Sequence, residues 1–105
     1  MAKDKIKIVR DLKGLRKKIA SWRKGGETIA LVPTMGALHD GHLALVKRAR
    51  KKADRTVVSI FVNPTQFAPT EDLSRYPRDE AGDVAKLAGA GADLVWVPTV
   101  EDMYP

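Results

Sequence analysis

The chain contains no cysteine and no long apolar run. Without cysteine it can form no disulfide, and it has no thiolate metal ligand or cysteine nucleophile. A membrane-spanning helix needs about 18 or more consecutive apolar residues, which are not present. The first ten residues alternate Lys with Ile instead of forming the apolar core of a secretory signal. We therefore expect a cytoplasmic protein with no membrane partner.

Positive charge is concentrated in one half of the chain. Residues 1–55 carry 16 of the 19 Lys and Arg residues but only 5 of the 13 acidic residues. Such asymmetry raises nucleic acid or another polyanion as a partner. The densest basic run, residues 47–52, falls toward the end of a predicted helix, where cations complement the helix dipole. We interpret the run as a solvated helix face and expect no nucleic-acid partner, with anion steering or nucleic-acid binding as the alternative.

Hydrophobic spacing predicts alternating strands and helices. Strands are predicted at residues 5–9, 28–33, 56–62 and 93–97, and the helices between them at about 12–24, 41–53 and 79–88. The second strand is apolar on both faces, which favours a buried parallel strand over an edge. In the second helix, Leu45, Val46, Ala49 and Ala53 are predicted to face the sheet. This order indicates an α/β fold with right-handed parallel crossovers, in a chain long enough for one domain or part of one.

The junction between the second strand and the second helix carries the best candidate site. Its sequence contains His39-Asp40-Gly41-His42, so two imidazoles fall at the start of a helix. Helix N-termini have unpaired N–H groups and a partial positive charge, which suit a phosphate chain. Gly41 lacks a side chain and so allows phosphates to approach the backbone.

Other interpretations of the two histidines have less support from the sequence. A zinc site needs at least three protein ligands, and the chain has no further His and no Cys. A hydrolytic site lacks a Gly-x-Ser-x-Gly nucleophile elbow. Histidines that only cap the helix remain an alternative to phosphate contact.

A second polar loop follows the third predicted strand. It contains Asn63 and Gln66, whose amides can donate and accept hydrogen bonds to hydroxyl and carboxylate groups. In a parallel sheet this loop faces the same crevice as the His39 loop. Asn63 precedes a proline, so turn formation is an alternative explanation for that residue.

Four segments of the chain resemble the pantothenate synthetase (pantoate–beta-alanine ligase) family. They are residues 33–43 (PTMGALHDGHL), 58–67 (VSIFVNPTQF), 71–78 (EDLSRYPR) and 103–105 (MYP). The resemblance implies a Rossmann-like parallel sheet of the His-x-Gly-His nucleotidyltransferase type, followed in the family by a smaller C-terminal domain. Ala68 and Thr70 depart from the family's usual Gly and Asn.

The resemblance also implies a reaction of pantothenate biosynthesis, on the route to coenzyme A. Pantoate would attack the α-phosphate of ATP in the presence of Mg²⁺, and beta-alanine would then displace AMP from pantoyl adenylate to give pantothenate. The family is expected to form a homodimer.

Residue roles carry over from the family by matching position. His39 and His42 would stabilise charge on the phosphates as catalytic residues. No residue is implied as a metal ligand. The implied ATP contacts are Pro33, Thr34, Met35, Gly41 and His42; the pantoate contacts are Met35, Asn63 and Gln66; and Gln66 also contacts beta-alanine.

The family continues well past residue 105, into a loop that closes over ATP and a second pantoate-binding Gln. We therefore expect residues 1–105 to be an incomplete N-terminal nucleotide- and pantoate-binding domain, catalytically inactive alone. The strand at 28–32 would lie at the centre of the complete sheet, so one of its edges would be open here. The alternatives are a fragment of another His-x-Gly-His nucleotidyltransferase or aminoacyl-tRNA synthetase, and a non-enzymatic basic nucleic-acid-binding module.

Overall fold

The computed structural model describes residues 6–61 and 80–99, where strands and helices alternate. The elements are β1 (Lys7–Val9), α1 (Leu12–Lys24), β2 (Ile29–Thr34), α2 (Asp40–Lys52), β3 (Arg55–Ile60), α3 (Glu80–Ala90) and β4 (Leu94–Trp96). The predicted α/β class and element order are confirmed, with small shifts at the ends of elements. None of these helices is long and apolar enough to cross a membrane.

The four strands form one parallel sheet in the order β1-β4-β3-β2. Val32 pairs with Val58 in the β2–β3 register, and Val57 pairs with Leu94 in the β3–β4 register. From β1 the chain crosses to β2 at the far side of the sheet, and the connections from β2 to β3 and from β3 to β4 then each return by one strand. Helix α1 of the first connection lies on one face of the sheet, and α2 and α3 of the later connections lie on the other. All three crossovers therefore have the same hand, as expected for parallel strands.

Each face of the sheet has its own hydrophobic cluster. One cluster joins α1 to the sheet and contains Leu15, Trp22, Val57 and Leu94. The other joins α2 and α3 to the opposite face; its buried members are Val32, Leu38, Val46, Val58, Ile60, Leu87, Ala90, Ala92 and Val95. Trp22 thus packs in the core, and the two basic helices α1 and α2 lie on opposite sides of the sheet.

The prediction that β2 is buried on both faces is wrong for the described sheet. Its residues alternate, with Val32 and Thr34 buried and Leu31 58% exposed. The reason is coverage, because α2 and α3 shield one face while α1 reaches only the start of the strand, at Ile29. Within the described residues β2 pairs only with β3, which leaves the open edge expected beside this strand.

The predicted inward face of α2 is also partly wrong. Val46 is buried and Ala49 packs against the core as predicted, but Leu45 is 55% exposed and the unpredicted Leu43 packs against the core. Ala53 is half-buried. Leu43, Val46 and Ala49 are spaced by three residues and share one helix face, whereas Leu45 is rotated about 100° from Val46.

Candidate functional site

The loop between β2 and α2 lies at the carboxyl end of the parallel sheet, where α/β proteins bind their ligands. β2 ends at Thr34, and α2 begins at Asp40 with His39 as its N-cap residue. The backbone oxygen of His39 accepts the first helical hydrogen bond from Leu43 at 3.1 Å. The loop is anchored by Leu38, whose side chain is buried in the cluster beneath α2.

His39 and His42 cap the start of α2 reciprocally. Nδ1 of His39 accepts a hydrogen bond from the backbone N–H of Gly41 at 3.0 Å. Nδ1 of His42 accepts one from the backbone N–H of His39 at 3.2 Å. The ring centroids lie 4.1 Å apart, with the planes tilted by 45°. Two backbone N–H groups at the helix start, which have no partner within the helix, thus donate to side chains as in a capping box. Imidazoles replace the usual hydroxyl and carboxylate.

The cap determines which nitrogen of each ring can donate. An Nδ1 atom that accepts a backbone hydrogen bond carries no proton, so each neutral ring has its proton on Nε2. Neither Nε2 has a partner among the described residues, and His39 is exposed while His42 is half-buried. The site therefore presents two N–H donors beside the positive end of a helix dipole, an arrangement suited to a phosphate group.

The environment of His42 disfavours its charged form. Burial lowers the pKa of His42 below its usual value, and the neighbouring His39 lowers it further, while the carboxylate of Asp83 acts in the opposite direction. The neutral form of His42 is therefore favoured in the folded chain. A bound anion would stabilise the protonated form.

Gly41 is required by the histidine cap itself. A Cβ atom at this position would lie 2.9 Å from Cε1 and 3.1 Å from Nδ1 of His39. The backbone N–H of Gly41 is donated to His39, so it is already satisfied. The absent side chain therefore makes room for an imidazole ring, a reason that the sequence pattern did not reveal.

The residues just before the loop differ in how their side chains are used. The hydroxyl of Thr34 donates to the backbone oxygen of Ser59 at 2.9 Å and accepts from the N–H of Gly36 at 3.3 Å. The backbone oxygen of Thr34 accepts the N–H of Phe61 as well, so Thr34 is almost fully engaged within the protein. Pro33 is exposed and Met35 is half-buried.

Asp83 is a site residue that sequence reasoning missed. It lies in the first turn of α3, is 3% exposed, and accepts the backbone N–H groups of Ala37 and Leu38 at 3.0 and 2.9 Å. Nearby, the Lys86 ammonium group donates to the backbone oxygen of Leu38 at 3.1 Å. One signal was available, because Asp83 lies four residues before the buried Leu87 and so on the inward face of its helix.

Asn63 and Gln66 lie outside the described residues. The chain does leave β3 next to the candidate site, because the N–H of Phe61 donates to the backbone oxygen of Thr34 at 3.0 Å. Within residues 6–61 and 80–99, no group of three His, Cys, Asp or Glu side chains is placed to hold a metal ion.

Comparison with known proteins gives matches over nearly the whole chain. The family model described as pantoate-beta-alanine ligase matches residues 7–105. A pantothenate synthetase from Hyphomonas neptunium is 53% identical over 100 residues, which cover 95% of this chain and 34% of the relative. Pantothenate synthetase 2 from Bradyrhizobium diazoefficiens is 60% identical over 98 residues, covering 93% and 35%.

A solved structure matches at the level of the fold. The pantoate-beta-alanine ligase from Francisella tularensis, complexed with beta-gamma ATP and beta-alanine, superposes with a TM-score of 0.87 at 40% identity. The match covers 96% of this chain and 38% of that one. This chain thus spans about a third of the length of the curated relatives that it matches.

Proposed function

The chain belongs to the pantoate-beta-alanine ligase family, and we propose that it supplies the ATP- and pantoate-binding part of an enzyme that condenses pantoate with beta-alanine. The observation that carries this proposal is the reciprocal cap of His39 and His42, which leaves two Nε2 donors at the start of α2. Residues 1–105 would form the N-terminal Rossmann-like domain, with a smaller C-terminal domain following in the complete enzyme.

The reaction proposed for the complete enzyme has two steps. A carboxylate oxygen of pantoate attacks the α-phosphorus of ATP, and the bond to the β-phosphate oxygen breaks to release pyrophosphate. The amine of beta-alanine then attacks the carbonyl carbon of pantoyl adenylate, loses a proton, and displaces AMP to leave an amide.

His39 and His42 act on the first step by electrostatics. Their Nε2–H groups donate to phosphate oxygens, where negative charge grows as the phosphorus is attacked. The N-terminus of α2 adds its partial positive charge to the same region. Because the cap holds both rings before ATP arrives, little reorganisation is needed during the reaction.

The other proposed ATP contacts follow from the loop. Pro33, Thr34 and Met35 line the nucleotide side, with Thr34 shaping the loop through its bonds to Ser59, Gly36 and Phe61. Gly41 contributes by its missing side chain, since its N–H is donated to His39.

Pantoate is proposed to lie on the side of Met35, Asn63 and Gln66, with Gln66 also contacting beta-alanine. Support comes from the family resemblance and from the hydrogen bond between Phe61 and Thr34, which starts the β3 loop next to the end of β2. Holding two substrates in line supplies much of the rate in such a reaction.

Mg²⁺ is proposed to enter with ATP as part of the co-substrate. The described residues have no three-ligand cluster of their own, and Mg²⁺ commonly binds through substrate phosphates with few protein ligands.

The homodimer, the cytoplasmic location and the absence of a nucleic-acid partner remain proposals. The last is favoured by the basic helices α1 and α2, which divide their charge between opposite faces of the sheet.

Separate NMR titrations of the 105-residue chain with MgATP and with pantoate test the proposal. MgATP should shift the imidazole signals of His39 and His42, and pantoate should shift the side-chain amide of Gln66. Duplex DNA serves as the competing ligand. The proposal fails if the histidines do not respond to MgATP while DNA binds with a steep dependence on salt.

A further inference from the structure

We propose that Asp83 is a positioning residue for the histidine pair, because its carboxylate holds the backbone that leads into His39. This inference rests on the proposed function of the pair as the phosphate-binding group. Among the described residues Asp83 hydrogen-bonds the backbone amides of Ala37 and Leu38, so it positions the pair through the loop, while its charge also acts directly on His42.

Asp83 binds the loop with both carboxylate oxygens. Oδ2 accepts the N–H of Ala37 at 3.0 Å, and Oδ1 accepts the N–H of Leu38 at 2.9 Å. Two successive backbone amides around one anion form a concave nest. Hydrogen bonds to an ionised group are stronger than neutral ones, and this carboxylate is almost fully buried.

The loop needs such support because its backbone is unusual. Gly36 has φ 86° and Ala37 has φ 52°, so two consecutive residues are left-handed. Glycine adopts this conformation freely, but alanine is strained there by its Cβ atom. The hydrogen bond from the Ala37 N–H to Asp83 therefore holds Ala37 in its strained left-handed conformation.

Lys86 holds the same segment from the next turn of α3. Its Nζ donates to the backbone oxygen of Leu38 at 3.1 Å. Both polar backbone groups of Leu38 are thus bound by α3, and the next residue is His39. Because His39 must keep its N-cap geometry for either imidazole to be oriented, α3 determines where the two Nε2 donors point.

The Asp83→Asn variant tests the inference in the 105-residue chain. Asparagine has one acceptor oxygen, so it can accept only one of the two backbone N–H groups, and its NH₂ group would oppose the other N–H, which is also a donor. Asp54→Asn is the matched control. The Asp54 side chain also accepts a backbone hydrogen bond, from Thr28 at 2.9 Å, but it lies in the α2–β3 turn at the opposite end of the sheet.

Two measurements separate positioning from general stability. In the ligand-free chain, imidazole ¹⁵N spectra should show unprotonated Nδ1 in both rings for wild type and for Asp54→Asn, and mixed tautomers at His39 for Asp83→Asn. The Kd for MgATP should rise about tenfold in Asp83→Asn if about a tenth of the molecules keep the competent loop. In Asp54→Asn it should stay within about twofold, because distant sites act independently.

Two further variants complete the test. Adding Ala37→Gly to Asp83→Asn should recover much of the lost affinity, since glycine accepts the left-handed conformation without the carboxylate. If Asp83→Asn does not fold, Lys86→Met replaces it; this exposed residue should shift the His39 tautomer in the same direction. The inference is overturned if the folded Asp83→Asn chain keeps the tautomers and the ATP affinity of wild type. If Lys86→Met has to replace that variant, the same result in Lys86→Met overturns it. If wild type does not bind MgATP, the proposed function fails, and the ligand-free tautomers still decide the role of Asp83.

Discussion

The N–H of His39 donates to Nδ1 of His42 at 3.2 Å, so that the second histidine caps the residue from which the first projects. His39 in turn accepts the N–H of Gly41. Each ring therefore has its Nδ1 engaged with the backbone, which leaves Nε2 as its N–H donor. The order His-x-Gly-His places the two imidazoles so that they complete one helix cap together.

The burial of His42 predicts a loss of stability at acid pH. Its pKa is lowered in the folded chain, chiefly by burial, so the unfolded chain, with a pKa of about 6.5, binds the proton first as the pH falls. Unfolding then takes up a proton, and the free energy of unfolding decreases as the pH drops from about 7 to below the folded-state pKa. Urea unfolding across this range should show a shallower pH dependence in His42→Gln than in wild type. Equal slopes would contradict the assignment.

Gly41→Ala should impair the site with little change in stability. The new Cβ would lie 2.9 Å from Cε1 of His39, so the ring must move and its cap is lost, at a cost of about 1 kcal/mol. Alanine recovers a similar amount, up to about 1 kcal/mol, through its higher helix propensity. We expect the free energy of unfolding to change by less than about 1 kcal/mol while MgATP affinity falls severalfold, as measured by urea unfolding and calorimetry. Unchanged affinity would show that the position of the His39 ring does not matter.

Two buried threonines on neighbouring strands should respond oppositely to the same change. Thr34→Val removes a hydroxyl bonded to Ser59 and Gly36 and should cost about 1–3 kcal/mol of unfolding free energy. Thr56→Val removes a buried hydroxyl that has no partner among the described residues, so it should be neutral or stabilising. Urea unfolding of both variants checks the contrast, which an equal loss in the two would refute.

The open edge of β2 should promote self-association. This strand pairs only with β3 in the described sheet, and its Leu31 side chain is largely exposed. Unpaired strand edges with apolar residues associate, and charged side chains suppress this. Sedimentation at high concentration should detect association of the wild-type chain, reduced in Leu31→Lys and less affected in Leu45→Lys, where the exposed leucine lies on a helix. A monomeric wild-type chain would rule out this behaviour.

The part of the site that follows from local sequence was predictable. Strand, loop and helix around His39 and His42 are encoded by neighbouring residues, and periodicity identified them. Asp83 was missed because its contacts with Ala37 and Leu38 span 46 and 45 residues, a relation that only the folded chain establishes. Exposure of Leu31 and Leu45 was missed for a related reason: burial depends on which elements cover a face, while an apolar pattern shows only which residues could be covered. The reciprocal cap depends on side-chain rotamers, which spacing does not specify.

The central claim is that the two Nε2 donors bind phosphate, and calorimetric titration of wild type and His39→Gln with MgATP and with adenosine tests it most directly. MgATP should bind wild type more tightly than adenosine does, and His39→Gln should reduce that advantage about tenfold, the effect of losing one charge-assisted hydrogen bond. Adenosine affinity should be the same in both chains. If MgATP binds no more tightly than adenosine, or if His39→Gln leaves the difference unchanged, the histidine pair is a helix cap and not a phosphate site.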